Sequence, residues 1–258
     1  MTNNTILFEK KGMLAQLTLN REAQCNAINE DMLDDLNHYL SIIELDSEIR
    51  LLVITGAGAK FFCAGGDIKS WSQYSPLDMG RKWIKNGNVI FNRLRELPIF
   101  TIALLNGHAI GGGLELALCC DIRIAHPNAK FSVPEVTLSM IPGWMGVERL
   151  TSLIGSAKSK EMLLLGEVVH AEKALSIGLV NHVISPENTE TTLTEYSQKV
   201  LKTGPTALAH IKQLIVRMDD KHLDFDHQLL AALMAGTQDC QEATTAFVEK
   251  RKPVFSNN

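Results

Sequence analysis

The order of apolar and polar residues divides this chain into a strand-rich first half and a helical second half. ILFEKKGMLAQLTLN alternates about Lys11 and Gly12 in the manner of a β-hairpin. Asn29 stands where a helix cap is expected, ahead of Met32, Leu33, Leu36, Tyr39, Leu40 and Ile43 at helical spacing. LLVIT (51–55) and IFTIALL (99–105) are continuous apolar runs, the pattern of strands covered on both faces. Between them Ser75 and Pro76 open a helix expected to reach Leu97, its first half weakened by Gly80 and Gly87. IRIA (122–125) is a third short strand, and Pro134 demotes FSVPEV to an edge or a loop. Beyond Gly143 the pattern turns helical. KSKEMLLLG and HAEKALSIGL come first, then a short strand VNHVI, helices near 187–203 and 206–217, and a last segment near 224–250.

Strand, crossover helix, strand implies parallel pairing of LLVIT with IFTIALL. Ligands of such sheets collect at the carboxyl ends of the strands. Each run is followed by glycines, in FFCAGGDIK and in NGHAIGGGLELALCCD, so the two stretches are expected to face one another. Neither fits a nucleotide fingerprint: GxGxxG, GK[ST] and GxSxG are all absent from them. Glycine instead lets a ligand atom reach the main chain without meeting a Cβ, and the second stretch opens a helix whose first N–H groups are unpaired. Two such donors on one oxygen make an oxyanion hole. On the residues alone, other readings stand beside this one. The glycines also suit helix-entry turns with positive φ, Glu115 suits a first helical turn facing water, and Glu135 suits a solvated loop.

Composition narrows the field. A chain of 258 residues forms one large domain, or a domain with a small appendage. Apolar residues make up 45 % and charged residues 21 %, and a net charge of −4 gives no footing for nucleic acid or an anionic membrane. No apolar run approaches the ~20 residues that cross a bilayer. MTNNTILFEKKG lacks the order of a secretory signal. Five cysteines without CxxC and histidines without HExxH argue against a disulfide framework or a zinc site, so a cytoplasmic, metal-free protein is expected.

Five stretches together resemble the crotonase (enoyl-CoA hydratase/isomerase) superfamily. LTLNREAQCNAIN is similar to its NRP…NAL opening, FFCAGGDIK to its FCAGADIK loop, and NGHAIGGGLELALCCDIRIA to its NGxAxGGGxELAxxCD signature. FSVPEVTLSMIPG resembles FxxPExxLGxxPG, and AFVEKRKPVF the C-terminal tail. The resemblance implies an α/β fold, a spiral of β-β-α units over residues 1–195, followed by a helical region, 196–258, that builds trimers or a dimer of trimers. It implies an acyl-CoA hydro-lyase of fatty-acid β-oxidation that adds water to an enoyl-CoA, with coenzyme A entering as part of the substrate and no further cofactor. Isomerisation of a 3-enoyl-CoA, other enolate chemistry, or a non-catalytic RNA-binding relative are the alternatives.

Carried over residue by residue, the family's oxyanion donors fall on Gly66 and Gly112, and its catalytic carboxylates on Glu115 and Glu135. Glu115 is then assigned mainly to activating water and Glu135 to protonating the α-carbon. Ala64 and Gly66, Asp67, Ile68 and Lys69 would line the coenzyme loop, with Ala23 and Cys25 against the thioester arm. Lys69 and the KRK at 250–252 are candidate phosphate partners. One departure stands out: where the family reads PGAGGTQRL this chain reads PGWMGVERL. Trp144 and Met145 therefore either occupy the acyl pocket beside Gly143 or repack the loop nearby.

Overall fold

The computed structural model describes residues 4–217 and 238–256. The hairpin forms as expected, β1 (Ile6–Lys11) pairing antiparallel with β2 (Leu14–Leu19). Helix α1 (Glu30–Leu45) starts at Asn29, whose side chain accepts a hydrogen bond from the Met32 N–H, and buries Met32, Leu33, Leu36, Leu40 and Ile43. β3 (Leu51–Gly56) is buried at every position and lies parallel to β5 (Phe100–Leu105), Leu51 opposite Phe100. These strands sit in a six-stranded sheet of order β1-β2-β3-β5-β7-β10, with β7 at Ile122–Ala125 and β10 at His182–Val183.

Each of β3, β5 and β7 is followed at once by a three-residue strand in a second sheet. These are β4 (Phe61–Cys63), β6 (His108–Ile110) and β8 (Lys130–Ser132), parallel neighbours in that order, with β9 (Val169–His170) added antiparallel at the edge. A helical segment then returns the chain to the first sheet, α2 (Ile68–Trp71) to α4 (Lys85–Glu96) after β4 and α5 (Gly112–Ala117) after β6, whereas α6 (Gly146–Leu165) after β8 leads to β9 before the chain reaches β10. The result is a β-β-α spiral. The glycine stretches therefore leave the short strands β4 and β6, not β3 and β5 directly. Strands of three residues are too short to show a period of two.

Polar side chains hold the turns of the spiral in register. Asn26, wholly buried, accepts from the Arg21 N–H and donates to the carbonyls of Ala57 and Phe61. Asn106 does the same work one turn on, donating to Gly56 and Gly58 carbonyls and accepting from the Gly56 N–H. Such loop carbonyls would otherwise be costly to desolvate.

The expected helix from Ser75 to Leu97 is one continuous segment with a change of pitch. Ser75 caps a first turn, α3 (Pro76–Asp78), Met79–Ile84 is π-helical, and α4 follows. The wider π turn brings Met79, Trp83 and Ile84 onto one cavity. In the second half, α7 (Ala171–Ser176), α8 (Thr189–Val200) and α9 (Pro205–Val216) appear where helices were expected. Lys212 of α9 is buried and pins that helix to the core through the Asp121 carboxylate, 2.9 Å away. Of the expected segment near 224–250, helix Gln238–Glu249 is seen and residues 224–237 lie outside the described residues.

Candidate active site

Because β4, β6 and β8 are parallel neighbours, the chain leaves all three at the same edge. The first exit carries Gly65 and Gly66. The second carries Gly111, Gly112 and the helix that bears Glu115. The third carries Glu135 in the 3-10 turn Pro134–Leu138. Three windings of one spiral thus deliver four candidate groups to one place.

The two amides are adjacent. A Cβ on Gly112 would lie 3.3 Å from the Gly66 nitrogen, and one on Gly65 would lie 3.2 Å from the Gly112 nitrogen. Among the described residues neither the Gly66 nor the Gly112 N–H has an acceptor. Gly111 adopts φ +52°, and a side chain there would collide with the Glu135 carboxylate. The glycine run is therefore fixed by close approach on two sides.

Glu115 is 2 % exposed, which removes the reading of a first-turn carboxylate facing water. Its Oε1 accepts the main-chain N–H groups of Trp144 at 2.8 Å and Gly146 at 2.9 Å, so Oε2 is the oxygen left for chemistry. Burial pushes the Glu115 carboxyl up to about 7. The charge of Glu135 adds to that rise, while the two N–H donors and the Arg149 guanidinium oppose it. Glu135 is also raised, chiefly by burial, and its Oε2 has no partner among the described residues. Behind Glu115, Arg149 donates to the Trp144 carbonyl at 3.1 Å and to Asn92 at 2.6 Å, holding the loop that supplies the Glu115 donors.

Both carboxylates and both amides line a cavity of about 200 Å³. Two free N–H groups beside two carboxylic acids of raised pKa can polarise a carbonyl and move protons at the carbons next to it.

Comparison with known proteins identifies the family. The family model described as Enoyl-CoA hydratase/isomerase matches residues 9–258. The chain belongs to the enoyl-CoA hydratase/isomerase family. It is 40 % identical to a short-chain-enoyl-CoA hydratase of Clostridium acetobutylicum, over 98 % of this chain and 97 % of that protein. It is 37 % identical to a crotonyl-CoA hydratase of Syntrophomonas wolfei, over 99 % of each. Among solved structures, an enoyl-CoA hydratase from Bacillus anthracis matches with a TM-score of 0.92 at 32 % identity, covering 98 % of this chain and all of that one.

Of the residues that family resemblance singles out, Ala64, Gly66, Ile68 and Gly112 line the cavity with Glu115, Glu135, Gly143 and Trp144. Ala23, Cys25, Asp67 and Lys69 do not. Cys25 adjoins the loop through its carbonyl, which accepts the Ala64 N–H at 3.0 Å. Asp67 is occupied, pairing with Arg21 at 2.9 Å and capping the turn at Lys69. Asp67 and Lys69 face a separate polar hollow with Arg21 and Gln24, while Ala23 is exposed. In the KRK stretch, Arg251 is engaged within the chain by Glu242 and Glu249, so it is not a free phosphate partner.

Sequence reading of this hydratase/isomerase family member passed over Trp71, Trp83 and Arg149. All three tryptophans of the chain meet at the cavity, and only Trp144 carried a motif signal. The scarcity of tryptophan was itself a usable hint.

Proposed function

We propose that this protein is an enoyl-CoA hydratase, adding water reversibly across the 2,3 double bond of an enoyl-CoA thioester. The observation that carries the reading is one cavity in which two acceptor-free amides, Gly66 and Gly112, stand with Glu115 and Glu135. The thioester carbonyl oxygen accepts both N–H groups, which draws electron density from the β-carbon. Water held between the carboxyl groups attacks that carbon while one of its protons passes to Glu115 Oε2. The electron pair of the double bond moves onto the carbonyl oxygen as an enolate. Protonation of the α-carbon by the Glu135 carboxyl closes the addition. One proton then sits on Glu115 instead of Glu135, and exchange with solvent resets the pair.

Their mutual repulsion favours a pair with a single proton, and its titration belongs to the pair, not to one residue. A profile of kcat/KM against pH is therefore expected to be bell-shaped around neutrality. Two carboxyl groups on one cavity support hydration over isomerisation, which needs one proton carrier. Among the described residues, the free thiols of Cys25, Cys63, Cys119 and Cys120 fit a cytoplasmic location. A trimer, or a dimer of trimers, built through residues 196–258 is part of this reading, and Ile211 and Ile215, left exposed on α9, support it.

The test is purified protein with crotonyl-CoA, following loss of the conjugated thioester absorbance. Hydration is the expected result. Conversion of a 3-enoyl-CoA without hydration of any 2-enoyl-CoA would replace this reading with the isomerase.

A further inference from the structure

Trp144 occupies a position where the family pattern has a small residue, and it is 2 % exposed. Its indole spans two glycines. A Cβ on Gly112 would lie 2.6 Å from Trp144 Cζ3, and a Cβ on Gly87 of helix α4 would collide with Trp144 Nε1. Phe91 and Trp83 flank the ring, with centroids 5.0 and 5.1 Å away and planes tilted by 56° and 50°. Trp83 and Trp71 continue the wall over Gly66, 3.3 and 3.4 Å from where its Cβ would be. The indole N–H has no acceptor among the described residues, so the ring is held there by shape. Met145 takes no part: it adopts φ 65° and is 38 % exposed.

A wall this close to the carbonyl-binding amides leaves little room beyond the β-carbon. The cavity is about 200 Å³, below the ~300–1,000 Å³ of sites that take drug-sized ligands. Resting on the hydratase reading, we propose that the Trp144 indole, seated on Gly87, is the residue that restricts this enzyme to enoyl chains of about crotonyl length.

Longer chains must displace a ring packed on three sides. One methylene in an apolar pocket discriminates by about 10–200-fold, so kcat/KM should fall at least tenfold from crotonyl-CoA to 2-hexenoyl-CoA. Replacing the indole removes the wall but keeps the main-chain N–H that Glu115 needs. Trp144→Leu should therefore raise the hexenoyl-to-crotonyl ratio of kcat/KM at least tenfold. An unchanged ratio in a folded variant overturns the proposal, as does a wild type that hydrates both chains equally.

A second variant reads the seat itself. Gly87→Ala should lower the melting temperature of the wild type yet raise it, or leave it unmoved, in the Trp144→Leu background, where no indole meets the new methyl. Equal losses in both backgrounds would overturn the pairing. Binding separates this proposal from the hydratase reading. If no enoyl-CoA is hydrated, the hydratase reading fails, and the wall is judged by ligand affinity alone. Butyryl-CoA must then quench the tryptophan fluorescence at a tenfold lower concentration than octanoyl-CoA, and equal concentrations refute the wall.

Discussion

The turn after β6 and the turn after β8 each deliver a carboxylate to the same cavity, by opposite means. In the first, residues 111–120 are all buried, and Glu115 Oε1 is held by two N–H groups from a segment about thirty residues further along the chain. In the second, Val136, Thr137, Leu138 and Ser139 are exposed, and Glu135 Oε2 is held by no described residue. Glu115 is thus fixed at one oxygen and free at the other. Glu135 depends on the space that Gly111 leaves for it. A rigid acid and an adaptable acid, placed together, suit a reaction in which one proton is taken from water as it adds to a carbon and another is delivered to the neighbouring carbon.

The largest effect that could break this contrast is at the adaptable side. Glu135→Gln keeps shape and removes the proton, so turnover of crotonyl-CoA should fall about 10²–10⁴-fold while butyryl-CoA still binds. Undiminished turnover would take Glu135 out of the mechanism. The two amides sharpen the rigid side. Gly112→Ala brings a methyl 2.6 Å from Trp144 and 3.3 Å from Gly66 N, and should cost the ~2.7–4 kcal/mol of one oxyanion donor. Gly66→Ala meets only indole edges, at 3.3 and 3.4 Å, and should cost clearly less. Equal losses in the two variants would show that neither amide is distinguished by its surroundings.

Stability carries the next effect. A carboxyl raised to about 7 from 4.5 binds its proton more tightly in the folded chain than in the unfolded one. Its contribution is full below pH 4.5, falls as pH rises, and is lost above about 7. Glu115→Gln should flatten that dependence by on the order of 3 kcal/mol, read as denaturant midpoints at pH 5 and 8. Identical pH dependence in variant and wild type would mean that Glu115 is not desolvated. The smallest effect is expected at the exposed turn. Thr137→Ala removes one hydrogen bond to the Pro134 carbonyl and should cost about 1 kcal/mol or less, with little change in turnover.

The same contrast separates what the sequence made legible from what it did not. β3 and β5 could be read because fully buried parallel strands are apolar throughout, and α1 because Asn29 is followed by a regular apolar stripe. Gly66, Gly112, Glu115 and Glu135 could be located because their neighbours repeat a family signature. β4, β6 and β8 were hidden by their length of three residues. The π turn at Met79–Ile84 was hidden because its spacing departs from the 3.6-residue period on which helix reading relies. That turn supplies Trp83, so the aromatic wall went unseen even though Trp144 drew notice. Long-range partners such as Arg149 and the Trp144 N–H leave no local trace.

The central claim is that the Gly66 and Gly112 amides polarise a thioester carbonyl. Isotope-edited infrared difference spectra of bound butyryl-CoA, labelled with carbon-13 at the carbonyl, test it directly. The account predicts a carbonyl band at lower frequency in the wild type than in free ligand, and a band returned toward the free position in Gly112→Ala. A bound carbonyl at the solution frequency in the wild type would contradict it.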